Sequence, residues 1–425
     1  MTIYLKDATF IDWKTLDIFK THIAVNEGPK NTLEMIESLP DRQVMAGGDS
    51  IINCENKYVT KSFGCGHHHI YSALARGMPA PQKPPQNFLE ILLYVWWHLD
   101  KNLDLKMIKA SALVSALYCA KNGVTFVIDH HSSPFAVEGS LDTIKEAFDA
   151  VGISHLLCYE ITDRNGDPAT DAGLSETEDY LKSGNQGLVG LHASMTVNGP
   201  LLKKAVKLAE KYDSGLHVHA AEDKSDQEQC RLKYNKRVIE RFSDAGVLDL
   251  PKTILGHCIH LNHAEKSLFR GSNAWVVENV ESNLNNNVGL ADYSELGENI
   301  FLGTDGMHSD MLRSAKAAFF TGQMTEGISY PSIYHRFRNI HNYLQHNKFK
   351  GDENNNLVIL DYDSPTPLTS DNFLGHFVFG LDSTHVDSVI SKGKMIVKNG
   401  KLLTMEEDEI LSFSQEQARE LWKRL

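Results

Sequence analysis

Apolar positions change their spacing along the chain. Up to about Asn56 they alternate with polar ones in short runs, as in Ile3-Tyr4-Leu5 and His22-Ile23-Ala24-Val25. That two-residue period belongs to half-buried strands. One stretch between them, residues 31–39, reads as helical. From Tyr58 onward, apolar runs rich in β-branched residues predict strands over residues 58–63, 124–129, 154–159, 188–192, 216–219, 253–257, 274–278 and 300–303. Amphipathic stretches over residues 105–121, 141–150, 201–212 and 234–245 predict helices between them. Strand–helix alternation implies a parallel sheet. Eight such units suit a closed barrel better than an open doubly wound sheet. After about residue 350 strands return, at residues 357–360, 386–391 and 395–397, with a hairpin turn at Lys398-Asn399-Gly400-Lys401 and a last helix over residues 414–424. The expected class is therefore α/β: a (β/α)₈ TIM-type barrel over residues 58–349, with a small β-sandwich domain built from both chain ends, 1–57 and 350–425.

Composition narrows the function. The 425 residues carry a net charge of -13 and no basic block, which argues against a nucleic-acid partner. The longest apolar run, residues 88–99, is too short for a bilayer and is broken by Glu90 and His98. It predicts a buried or lid-forming helix. The first residues lack the basic-then-apolar order of a signal peptide. The six cysteines form no CxxC pair and read as reduced thiols. The expected location is cytoplasmic, without membrane contact, and a homodimer is the base-rate assembly.

Histidine is abundant, with 20 in the chain, and many fall at predicted strand ends. In Gly66-His67-His68-His69, alternation turns His67 and His69 to one side and His68 to the other. Two imidazoles on the C-terminal rim of a barrel strand make a ready metal site. In His217-Val218-His219-Ala220-Ala221-Glu222, His217 and His219 again share a face, with His217 read as a hydrogen-bonded support. Glu222 falls three residues beyond His219, where a carboxylate can shuttle protons without being a ligand. His257 ends the sixth strand. Asp305, in Gly303-Thr304-Asp305-Gly306, ends the eighth, where it could bind a cation or form an ordinary turn. His192, His130, His131, Tyr71, Arg76 and Asn283 also reach the rim, as substrate contacts or as supports.

These stretches resemble the amidohydrolase superfamily in its deaminase and chlorohydrolase branch, and most closely the SsnA-type aminohydrolases. The motifs are His67-His68-His69, His219-Ala220-Ala221-Glu222, His257 and Thr304-Asp305-Gly306, extended by Ser282-Asn283, Ser364-Pro365-Thr366-Pro367 and Gly375-His376-Phe377. The resemblance implies one divalent metal, Zn²⁺ or else Fe²⁺, on His67, His69, His219 and Asp305. Glu222 would relay protons and His257 would orient water or polarise the attacked centre. Binuclear members carry a lysine at the end of strand four, and here that segment ends in Leu191-His192. The sequence departs from the family at Lys61-Ser62, where Pro-Gly is common, at Val280-Glu281, before Ser282-Asn283, and at Asp352-Glu353-Asn354-Asn355-Asn356. The expected activity is hydrolytic deamination of a purine- or pterin-like heterocycle by water activated on the metal. The alternatives are opening of an imidazolone-like cyclic amide and a metal-binding scaffold without turnover.

Overall fold

A computed structural model describes residues 1–28, 32–41 and 45–425. The alternation in the first strand, Thr2–Ile11, buries Ile3, Leu5, Ala8 and Phe10. The inward set changes parity after Leu5 because a bulge intervenes. Leu5 pairs with Ile23 and Ala8 with Thr21, and Asp7 takes a φ of 55°, so the extra residue re-aims the strand. Among the described residues, nine strands from the two chain ends are hydrogen-bonded as one sheet. Its order is Lys401–Leu402, Lys394–Lys398, Val386–Ser391, Leu357–Leu360, Tyr58–Lys61, Thr2–Ile11, Ile18–Asn26 and Leu33–Ile36, and Ser50–Asn53 pairs with Thr2–Ile11.

Two expectations change here. The stretch read as a helix over residues 31–39 contains the edge strand Leu33–Ile36, whose pairing with Ile18–Asn26 overrides a helical local pattern; Asn31 lies outside the described residues. The strand expected over residues 58–63 is two strands. Tyr58–Lys61 joins the terminal sheet, and Phe63–His68 begins the parallel ones. The break falls at Lys61-Ser62, where Lys61 turns its ammonium to Asp352 at 2.9 Å.

Eight parallel strands follow. Phe63–His68, Val124–His131 and Ser154–Tyr159 form one sheet. Val189–Ala193, Leu216–Ala220, Ile254–His257, Trp275–Glu278 and Ile300–Leu302 form another. Single bridges join the two, Leu157 with Gly187 and Ile161 with Leu191 on one side and His68 with Asp305 on the other. Apart from His155, the strands are buried along their whole length, which is why they read as largely apolar runs. Helices between them start at side-chain caps: Asp104 for Leu105–Lys121, Asn198 for Gly199–Lys211 and Asn262 for His263–Arg270. The helix expected over residues 234–245 spans only Val238–Asp244; Tyr234 instead ends a preceding helix, Lys224–Tyr234, that the sequence did not announce, because Asn235 takes a φ of 53°. The C-terminal helix is Glu407–Trp422. No helix among the described residues is long and apolar enough to cross a membrane.

The segment Asp352–Asn356, where the sequence departs from the family, fastens the terminal sheet to the rest. The Asp352 carboxylate receives Lys61 Nζ at 2.9 Å and His341 Nδ1 at 2.8 Å, and Lys61 Nζ also donates to the Asp352 and Glu353 carbonyls. Burial would lift the Asp352 carboxyl, yet His341 and Lys61 hold it at about 2. Removing one partner leaves the other charge buried and alone. Asp352→Ala should therefore cost about 3–5 kcal/mol in chemical denaturation, whereas Asp361→Ala, at an exposed pair with Lys57, should change stability by less than about 0.5 kcal/mol.

Candidate active site

The C-terminal ends of the parallel strands converge because two glycines let them approach. A side chain at Gly66 would meet the Phe301 ring at 2.3 Å, and one at Gly303 would meet Asn279 Oδ1 at 2.4 Å and the His67 side chain at 2.8 Å. The first and eighth strand ends therefore dock. Thr304 and Asp305 donate their backbone N–H groups to the His67 carbonyl, and His69 donates to that of Asp305.

Four ligand atoms meet there. His69 Nε2 lies 3.1 Å from His219 Nε2 and 3.1 Å from Asp305 Oδ1. His67 Nε2 lies 3.3 Å from His219 Nε2 and 3.6 Å from Asp305 Oδ1. The opposite ring nitrogens fix the tautomers. His69 Nδ1 donates to the His130 carbonyl at 2.6 Å and His219 Nδ1 to the His192 carbonyl at 2.7 Å. His67 Nδ1 contacts His217 Nε2 at 2.9 Å, and His217 Nδ1 reaches Cys158 Sγ at 3.7 Å. Each metal-facing Nε2 thus presents a lone pair, and lone pairs this close repel unless a cation sits among them. Bonds of about 2.0–2.1 Å to a tetrahedral ion place neighbouring donors roughly 3.3 Å apart, which is the spacing found. The donor set therefore fits one divalent metal ion. His68, as its parity predicts, turns away to Ser309 Oγ at 3.0 Å.

Electrostatics follow the same arrangement. Burial would lower the His69 imidazole, but the Asp305 carboxylate beside its Nε2 lifts it to about 9, so that a proton takes the cation's place at Nε2 when no metal is bound, while burial holds His67 at about 3. Burial works against the Asp305 charge, and the imidazoles of His67 and His69 nonetheless hold its carboxyl well below the usual range. Glu222 Oε2 and Asp305 Oδ2 each lie 3.7 Å from His257 Nε2. Burial lifts the Glu222 carboxyl to about 7, against the opposing pull of His257. His257 Nδ1 donates to Asn283 Oδ1 at 2.7 Å, and its Nε2 is buried without a partner. His257 and Asp305 have φ of 66° and 53°, a costly backbone conformation for residues other than glycine that is concentrated at functional sites. Tyr293 secures the His257 turn by donating to its carbonyl at 2.5 Å.

This cluster floors a cavity of about 600 Å³ counted out to its mouth. Phe88, Leu92, Trp96 and Trp97 line it from one chain segment, and Tyr71, Ser72 and Met307 line it from others. The wall comes from the predicted lid helix, which contains a π turn over Leu92–Trp96 between Phe88–Ile91 and Trp97–Leu99.

His67, His69, His219, Glu222, His257 and Asp305 are thus brought together, and Tyr71 and His192 line the cavity. Four residues expected at the rim as substrate contacts or supports are placed elsewhere. Arg76 is exposed, its guanidinium over the Tyr118 ring at 5.4 Å. Asn283 sits behind His257. His130 is fully buried, with Nε2 at the Leu191 and His217 carbonyls. His131 meets Ser133 Oγ at 2.9 Å. Glu281 is held by His308 at 2.5 Å and Arg313 at 2.7 Å, away from the cavity. Sequence reasoning missed Glu160, which lines the cavity. Its signal was an acid directly after the apolar third strand, on the same rim as the histidines.

The family profile described as Amidohydrolase family matches residues 58–346. The 5'-deoxyadenosine deaminase of Methanococcus vannielii is 26% identical, over 92% of this chain and 95% of that protein. The 5-methylthioadenosine/S-adenosylhomocysteine deaminase of Thermoanaerobacter pseudethanolicus is 23% identical, over 88% of this chain and 90% of that protein. The crystal structure of an adenosine deaminase from Xanthomonas campestris with bound zinc superposes with a TM-score of 0.83 at 15% identity, covering 99% of this chain and 98% of that one.

The donor geometry predicts that Asp305→Ala will lose bound zinc on desalting, falling to well under a tenth of the parent content by elemental analysis. Asn283→Ala, which changes only what lies behind His257, should keep its zinc.

Proposed function

The chain belongs to the amidohydrolase family, in its deaminase and chlorohydrolase branch, and from that premise we propose that it replaces an amine on a purine-like heterocycle with oxygen, releasing ammonia. It is a hydrolase of carbon–nitrogen bonds. The observation that carries the finer reading is the meeting of three bare imidazole nitrogens and one carboxylate beside a second, near-neutral carboxyl. In this reading the eight parallel strands and their bridges close as a (β/α)₈ barrel, and the two chain ends form the small β domain beside it.

His67, His69, His219 and Asp305 would hold the metal, most simply Zn²⁺, which supplies a Lewis acid that makes water a nucleophile near neutral pH. The remaining steps fall to the chain itself. His257 Nε2, bare and 3.7 Å from both Glu222 and Asp305, leaves room among the three groups for one water and accepts a hydrogen bond from it. Glu222 takes that water's proton as its oxygen bonds to the ring carbon. Near neutrality the Glu222 carboxyl gives the proton up as readily as it takes it, so it protonates the departing nitrogen. The carbon–nitrogen bond breaks, the added oxygen's remaining proton ends on the adjacent ring nitrogen, and a ring carbonyl beside an N–H remains. The aromatic wall excludes bulk water and stacks on a planar ring.

Ammonia release by zinc-loaded protein across purines, adenosines and pterins tests this. One or more should turn over, and Glu222→Gln should cut kcat by about 10²–10⁴-fold while retaining metal. Full activity of Glu222→Gln, or silence of metal-loaded protein across the set, would overturn the assignment.

A further inference from the structure

The chemistry above leaves one buried charge unused. Glu160 follows the third strand, is 4% exposed and lines the cavity. Protein groups approach it without satisfying it. His130 Nδ1 lies 3.3 Å away yet makes no hydrogen bond, and Arg164 Nη2 stands at 3.6 Å with its strong contact given to Asp100. Burial opposes the Glu160 charge, but His192, His130 and Arg164 keep the carboxyl well below the usual range. An ionised carboxylate this deeply buried requires donors, and the protein supplies few.

Beside it stands the complementary group. Trp97 lines the same cavity, and its indole N–H is buried without a partner. Its ring packs on Arg164 at 4.9 Å and on His192 at 5.7 Å, the residues that flank Glu160. An oxygen of Glu160 lies within 4.8 Å of ring nitrogens of His192 and His219, so what it meets is the reacting ring rather than a distant substituent. A second metal ion there is disfavoured. Shared ligation by His69 or His219 would need their Nδ1 atoms, and both already donate to backbone carbonyls.

We propose that Glu160 and Trp97 read a lactam edge on the substrate ring, the carboxylate accepting the ring N–H and the indole N–H donating to the adjacent carbonyl. The inference rests on the deaminase reading and narrows it to amino-oxo heterocycles, of which guanine is the simplest purine. Adenine, with its amine-bearing carbon at the reacting position, presents a ring lone pair towards the carboxylate and only a C–H towards the indole. A site with buried polar groups rejects the mismatched partner strongly.

Equilibrium dialysis of zinc-loaded Glu222→Gln protein with guanine and with adenine tests this. Guanine should bind at least about tenfold tighter than adenine. Adding Glu160→Gln should cost guanine at least about tenfold and adenine less than about threefold. Trp97→Phe should weaken guanine in the same direction. Metal content should stay at one per chain throughout. Equal binding of the two bases, guanine affinity indifferent to Glu160→Gln, or two metals falling to one in Glu160→Gln would overturn the inference. Selective guanine binding that depends on Glu160, without ammonia release by the parent enzyme, upholds it and refutes the deaminase reading. Ammonia released from adenosines with guanine unbound does the reverse.

Discussion

Three imidazole lone pairs forced together inside a protein repel one another, and the rest of this structure serves to make that arrangement tolerable. The force comes from the backbone. His69 is anchored to the carbonyl of His130 on the second strand, and His219 to the carbonyl of His192 on the fourth. Each ring is therefore oriented by a neighbouring strand, so strand order and register decide where the nitrogens point. Gly66 and Gly303 permit the close docking that adds Asp305 from the eighth strand. A cation among these donors converts the repulsion into binding energy, and without one the cluster would be a standing cost.

The same logic extends outward from the ligands. His257 and Asp305 both occupy the left-handed region of backbone space, and each is fixed by its neighbours: His257 by Asn283 and Tyr293, Asp305 by the backbone of the first strand. Such strain persists where surrounding contacts over-determine it. It sets His257, Glu222 and Asp305 around one small volume, where a water can be oriented and deprotonated. Asn283, which sequence reasoning placed against the substrate, does its work one step back by holding the ring that faces it.

Much of this was legible in the sequence because it follows from strand periodicity. Alternation alone separates His67 and His69 from His68. The parallel strands announced themselves as apolar runs because they are buried on both faces. What stayed hidden depends on distance in space. The single strand read over residues 58–63 is divided between Tyr58–Lys61 and Phe63–His68, and only pairing assigns these to two sheets. Arg76 lies close to the histidine motif along the chain, yet it points outward to Tyr118. Glu160 falls just after a strand in sequence, and its meaning comes from the cavity it lines. The strand Leu33–Ile36 followed its neighbour's hydrogen bonds rather than its own propensity.

The central claim is that one metal ion sits among three histidine nitrogens and the Asp305 carboxylate. X-ray absorption spectroscopy of the zinc-loaded protein addresses it directly. The predicted result is a first shell of nitrogen and oxygen at about 2.0–2.1 Å, with no sulfur and no metal–metal vector. A sulfur shell, which would bring Cys158 or Cys65 into the site, or a metal–metal vector, which would make the site binuclear, would contradict the account.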